Sequence, residues 1–356
     1  MSDSDVLFDV KGHLGLITLN RPKALNSLTA DMCAAISERL GLWASDPAVR
    51  VVAIVGSGEK AFCAGGDVVR VTRSWTEGSA EWRDFFFNEY RMNIAIAEFP
   101  KPYVSFVDGI TMGGGVGVSM PGDFWVATEK TLFAMPETGL GLFPDVGGGW
   151  FLPRMPGETG TYVALTGARL KAPDLYALGL ASHVIASTQV AAALDGLADL
   201  RTSDHQGVKA VLDGLHADPE PAPIARDMDQ IDAHFAEDSV TAILDNLQRD
   251  PDDWAQKQYG LLTGKSPTSM KLTLEQLRRG AACDCFRDVM AMEFRMVSRV
   301  IAGHDFHEGV RAILIDKDQS PTWEPASLDR VEPAAIDAHF APLPAEEELL
   351  AGLEDR

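Results

Sequence analysis

The chain has 356 residues, more than one compact core usually holds, so a large domain with an appended piece is expected. Hydrophobic residues make up 46% and charged residues 23%, a globular composition that argues against disorder. The formal charge of −21 opposes nucleic acid and anionic membrane surfaces, and it obliges any anionic ligand to find a local basic mouth.

The first residues, Met1-Ser2-Asp3-Ser4-Asp5, are acidic, without a basic start followed by an apolar run. Residues 14–19 are a short apolar run between Gly12 and the Asn20-Arg21-Pro22 turn, which reads as a buried strand. Thr29 is placed to cap a helix on which Met32, Ile36, Leu40 and Trp43 recur at helical spacing. Further strands are expected at 51–55, 103–107, 124–128 and 132–135. Strand and helix patterns alternate to about residue 200, which points to α/β architecture. Beyond it, helical patterns dominate, around 238–247, 270–279 and 288–301, before a tail rich in Pro, Glu and Ala. The expected division is therefore 1–205, an α/β core, and 206–356, a mainly helical region. Cys33, Cys63, Cys283 and Cys285 are too scattered for a disulfide framework or a zinc site. No apolar stretch approaches the roughly 20 residues of a membrane span. Together these features predict a cytoplasmic protein without a metal.

Four loops carry the candidate chemistry: Arg21-Pro22-Lys23-Ala24-Leu25-Asn26, then Ala61-Phe62-Cys63-Ala64-Gly65-Gly66-Asp67. The third runs from Asp108-Gly109 through Gly113-Gly114-Gly115 to Gly117, and the fourth from Met135-Pro136-Glu137 to Asp145 and Gly147-Gly148-Gly149. Two Gly-rich turns, each after a strand, expose backbone N–H groups to an oxyanion, and a helix starting at the triple glycine adds its positive end. Singly, each cluster is also accounted for by a tight turn.

In this order the four loops resemble the crotonase (enoyl-CoA hydratase/isomerase) superfamily over residues 5–200. The run 133–153, with Asp305-Phe306-His307-Glu308-Gly309-Val310-Arg311-Ala312 and Lys317-Asp318-Gln319-Ser320-Pro321, is similar to its 3-hydroxyisobutyryl-CoA hydrolases. The resemblance implies a ββα spiral core with a helical C-terminal region. It implies hydrolysis of 3-hydroxyisobutyryl-CoA in valine degradation, with coenzyme A as part of the substrate and no other cofactor. The Gly66 and Gly114 N–H groups would form the oxyanion hole. Lys23, Ala24, Leu25, Ala64, Gly65 and Asp67 would line the substrate's coenzyme A path, Gly117 would also contact substrate, and Glu89, Glu137 and Asp145 would sit at the acyl group. A homo-oligomer is compatible with the resemblance. Hydratases of the family place a glutamate three residues after the oxyanion glycine; here that residue is Gly117. Glu137 is then the principal carboxylate, activating water or attacking the thioester, while Asp145 orients the 3-hydroxyl. Two other readings stay open: a hydratase or isomerase on the same scaffold, and a non-catalytic acyl-CoA binding protein.

Three signals are set aside. Gly264-Lys265-Ser266 lacks the glycine a phosphate loop needs at position 259, which is Tyr259. Ser119 is not in a Gly-x-Ser-x-Gly elbow. His304-Asp305-Phe306-His307-Glu308 reads as a capping box with Asp305 as the cap, not as a metal site.

Overall fold

The computed structural model describes residues 4–353; Met1, Ser2 and Asp3, read above for targeting, lie outside the described residues. The expected apolar runs form strands, joined by shorter ones that the periodicity did not reveal. In chain order these are β1 (Val6–Lys11), β2 (Leu14–Leu19), β3 (Val51–Gly56), β4 (Ala61–Cys63), β5 (Tyr103–Val107), β6 (Ile110–Met112), β7 (Phe124–Ala127), β8 (Leu132–Ala134), β9 (Leu170–Lys171) and β10 (His183–Val184). One sheet has the order β1-β2-β3-β5-β7-β10, the other β4-β6-β8-β9. The pairs β3/β4, β5/β6 and β7/β8 repeat one step: a longer strand enters the first sheet, a three-residue strand enters the second, and the chain moves on. Within each sheet the successive members pair in parallel, so the chain winds as the ββα spiral the resemblance implied.

Thr29 caps the helix Ala30–Ser45 as expected, its Oγ1 accepting from Met32 N at 3.3 Å, and Met32, Ile36, Leu40 and Trp43 are buried. The longer strands bury Leu14, Val51, Ala53, Val104, Phe106, Phe124 and Val126 with Leu197, Val208 and Leu212 of later helices.

Contacts divide the chain into two compact units. The first comprises Met1–Asp67, Arg91–Ala134 and Arg169–Ala225, and contains every strand among the described residues. The second comprises Val68–Tyr90, Met135–Ala168 and Arg226–Arg356. These units do not follow the division at 205, because 68–90 and 135–168 gather with the later helices rather than with the strands they adjoin. Leu165, for example, packs with Phe235, Val240, Ile243, Leu247, Leu262 and Met270. The expected later helices form as Val240–Arg249, Pro267–Ala281 and Phe286–Val300. Pro267 takes the first helical position, where its missing N–H costs nothing, and Ser266 Oγ accepts from Ser269 N at 3.0 Å. The tail contributes the helix Pro333–Phe340.

The capping box expected at Asp305 does not form. Asp305 is the first residue of its helix, with His304 at the cap, and its carboxylate accepts from Ser266 Oγ and Glu324 N. Glu308 pairs instead with Arg311, which also holds Asp316 and Asp318. Distant partners take the Asp305 carboxylate and an i,i+3 ion pair takes Glu308, in place of the local cap.

Candidate active site

The first unit carries the glycine loops. Leu28 N donates to Gly65 O, and Asp67 N to Leu28 O, an isolated parallel bridge of Leu28 with Gly66. That bridge aligns the loop after β4 with the residues after Lys23 and Ala24, which are exposed, and Leu25, whose φ is +53. Leu25 O accepts from Ala64 N at 3.0 Å. Arg21 binds Asp67 Oδ2 at 3.2 Å, so this acid helps to hold the loop. A side chain at Gly65 would lie 3.5 Å from Met112 O and 4.0 Å from Gly114 N, so the two glycine loops are neighbours. Gly114 begins a four-residue helix, Gly114–Gly117, which lies so close to β4 that a methyl on Gly115 would reach within 2.1 Å of Cys63 O. Among the described residues neither Gly66 N–H nor Gly114 N–H donates to a protein acceptor. Two such donors from neighbouring loops suit one oxyanion.

The second unit carries the acids. On the helix Glu81–Ala97, Phe85, Phe86, Glu89 and Tyr90 recur on one stripe and are buried, Glu89 being 2% exposed. Glu137 opens a 3-10 turn, Glu137–Leu140, tied down by Leu142 N donating to Glu137 O and Thr138 Oγ1 to Leu165 O. Asp145 lies in a continuously buried stretch, 141–149, and accepts from Tyr90 Oη at 2.9 Å. Glu89 Oε1 and Glu137 Oε2 are buried without a hydrogen-bond partner. Burial, then the charges of Asp145 and Glu137, hold the Glu89 carboxyl well above its ordinary range. Burial and Asp145 do the same to Glu137, against the pull of Lys265. Burial raises Asp145 from 3.8 to about 7, against its bond from Tyr90. These acids cannot all ionise at neutral pH, and they titrate as a set.

The structure therefore brings Glu89, Glu137 and Asp145 into one buried acidic environment in the second unit, and the residues 23–25, 64–67 and 114–117 into one loop cluster in the first. Sequence reasoning missed Tyr90, Lys265 and Glu293. Tyr90 follows Phe85, Phe86 and Phe87 in the sequence, with no motif to mark it. Lys265 was weighed only as part of a phosphate loop, yet its Nζ would lie 3.1 Å from a methyl on Gly139, in the turn that Glu137 opens. Glu293 had no motif to mark it. Among the described residues no cluster of His, Cys, Asp and Glu fits a metal ion, and no helix is long and apolar enough to cross a membrane.

One consequence is measurable without substrate. Asp145 loses its proton at about 7 in the folded chain and near 3.8 in the unfolded one. Its contribution to stability is complete below the unfolded value and is lost as pH rises through the folded one. Asp145→Asn has no such loss. The thermal midpoint of the variant minus that of the wild type should therefore increase from pH 5 to pH 8, and a flat difference would contradict the buried titration.

The model of the enoyl-CoA hydratase/isomerase family matches residues 14–340. The 3-hydroxyisobutyryl-CoA hydrolase, mitochondrial, of Xenopus tropicalis is 46% identical over 348 residues, covering 96% of this chain and 90% of the relative. Its counterpart of the same name in Homo sapiens is 45% identical over 347 residues, covering 95% and 89%. Among solved structures, a carnitinyl-CoA dehydratase from Mycobacterium thermoresistibile matches with a TM-score of 0.92 and 40% identity, covering 99% of this chain and 100% of that one. An enoyl-CoA hydratase from Rhodobacter sphaeroides 2.4.1 matches with a TM-score of 0.87 and 36% identity, covering 97% and 99%. The curated relatives are named as mitochondrial, which overturns the cytoplasmic expectation. Scattered cysteines suggest reducing surroundings and do not distinguish one reducing compartment from another.

Proposed function

The chain belongs to the enoyl-CoA hydratase/isomerase family, and on that premise we propose that it hydrolyses 3-hydroxyisobutyryl-CoA to 3-hydroxyisobutyrate and coenzyme A, a step of valine breakdown. Coenzyme A belongs to the substrate, and no separate cofactor enters. The observation that carries the reaction type is Gly117. It is buried in the short helix behind Gly114, where a hydratase of this family needs a carboxylate to hold water across a double bond. The curated relatives, hydrolases by name, agree with that reading.

In this reading the thioester oxygen accepts from Gly66 N–H and Gly114 N–H, which stabilise the negative charge that develops when the carbonyl carbon becomes tetrahedral. Glu137, once ionised, takes a proton from the attacking water, or itself attacks to give an anhydride that water then opens. In both routes the tetrahedral adduct collapses by breaking the C–S bond, and the coenzyme A thiolate leaves to be protonated. In the first this gives the acid directly; in the second it gives the anhydride, whose opening by water frees the acid and the Glu137 carboxylate. Asp145, oriented by Tyr90, and Glu89 hydrogen-bond the 3-hydroxyl. A buried polar site of this kind discriminates strongly against acyl groups without that hydroxyl. Lys23, Ala24, Leu25, Ala64 and Gly65 follow the coenzyme A moiety, while Asp67 secures the loop through Arg21.

A lyase on the same scaffold is the second reading, favoured by the names of the two solved structures. Thiol release from 3-hydroxyisobutyryl-CoA, measured beside hydration of crotonyl-CoA, separates the two. Thiol release without hydration is expected. Hydration without thiol release would establish the lyase.

A further inference from the structure

Asp145 is followed by Val146, whose φ is +52, and Gly147, whose φ is +94. A left-handed backbone is rare for a β-branched residue and persists only where the surroundings enforce it. Here the enforcement comes from two later helices. Glu293, in the middle of Phe286–Val300 and fully buried, accepts from Gly147 N through Oε2 and from Gly149 N through Oε1, each at 2.8 Å. Gln276, on Pro267–Ala281, donates through Nε2 to Pro144 O at 2.7 Å and to Glu293 Oε1 at 2.9 Å. The residues on both sides of Asp145 are thus pinned by side chains far away in sequence. The space is closed as well. A methyl on Gly147 would come within 2.5 Å of the Phe286 ring, and one on Gly149 within 3.1 Å of Glu293 Oε1.

Among the described residues no cation pairs with Glu293. A buried acid without a cation is a poor device for stability, since apolar side chains of similar volume often serve a core at least as well. Its geometry serves a different end: one rigid group with two acceptors grips two N–H groups two residues apart.

We propose that Glu293 is a positioning residue for Asp145, fixing the strained 145–147 turn so that the Asp145 carboxyl meets the substrate hydroxyl. The inference rests on the reading of Asp145 given above. Glu293→Gln replaces one acceptor with an NH2 group that faces a backbone N–H, donor against donor; Glu293→Asp keeps both acceptors on a shorter stem.

The test is the ratio of kcat/KM for 3-hydroxyisobutyryl-CoA to that for isobutyryl-CoA, which lacks the hydroxyl. It is read in the wild type, Glu293→Gln, Glu293→Asp, Asp145→Asn and the double variant Asp145→Asn/Glu293→Gln. Glu293→Gln should lower the ratio about tenfold, and Asp should restore part of it. The double variant should show no lower ratio than Asp145→Asn alone, because the two residues act through one contact. If Asp145→Asn lowers the ratio while Glu293→Gln reduces both substrates alike, Glu293 only supports the fold and the inference is overturned. If Asp145→Asn itself leaves the ratio unchanged, the reading of Asp145 fails, and the inference with it. Should Glu293→Gln lose its thermal transition, Gln276→Met, which releases Pro144, takes its place. Its ratio must also fall, and an unchanged ratio overturns the proposal.

Discussion

Glu137→Gln should lower kcat for thiol release from 3-hydroxyisobutyryl-CoA by about 10³-fold, within the 10²–10⁴ range of a well-placed acid–base group. Glu137 is 4% exposed, and its Oε2 has no protein partner. A surface carboxylate would be solvated there, and a structural one would be bonded. Burial and Asp145 together hold its carboxyl above the ordinary range, so the folded chain favours the uncharged form. Glutamine has the same shape and no charge, so the variant should keep the wild-type thermal midpoint or exceed it. The sign follows from the raised carboxyl: its contribution to stability is lost as pH rises, and glutamine escapes that loss. Activity and stability are thus expected to part company, which a merely packed residue would not allow. Wild-type turnover should climb with pH as the acidic set ionises, and hydroxylamine trapping separates the anhydride route from direct attack by water. Turnover within tenfold of wild type, with the fold intact, would remove Glu137 from the mechanism.

What the sequence revealed and what it hid divide by range of interaction. Thr29, the apolar run 14–19 and the glycine loops are local signals, fixed by capping chemistry, periodicity and turn geometry, and each appears where local rules put it. The three-residue strands β4 and β6 are too short for a period of two to show, though they enter the second sheet beside β8, which the run 132–135 anticipates. The gathering of 135–168 with the helices after residue 226 depends on which apolar faces meet, and composition does not encode that. The acidic site divides in the same way. Glu137 and Asp145 stand in loops with a recognisable motif, whereas Tyr90 and Glu293 are ordinary helix residues by sequence. Only the fold brings Tyr90 Oη to Asp145 and Glu293 to Gly147. The asymmetry has a physical source: reacting groups sit on loops with marked turns, while the groups that orient them come from whichever helix packs alongside.

Gly114→Pro should reduce kcat by about 10²–10³-fold, the usual cost of removing one oxyanion donor. Few positions meet the backbone requirements for deleting an N–H, and Gly114 is one that does. Gly114 is the first residue of its helix, where an N–H has no intrahelical partner and where proline is favoured. The restriction that proline imposes on its predecessor acts partly through that residue's Cβ, and the predecessor is Gly113, at φ 48 and ψ −123. The Gly114 carbonyl, which accepts from Val118 N at 2.9 Å, is retained. The ring also adds carbon beside the Gly65 loop, so Gly114→Ala, which adds a carbon but keeps the N–H, is the necessary comparison. The difference in kcat between the two variants reads the donor; a shared rise in KM reads the added volume. If alanine and proline lose kcat equally, the Gly114 N–H stabilises no oxyanion, and the charge on the tetrahedral carbon must rest elsewhere. If proline alone collapses kcat while KM stays within a few-fold, the donor acts in the transition state rather than in binding, as an oxyanion hole must.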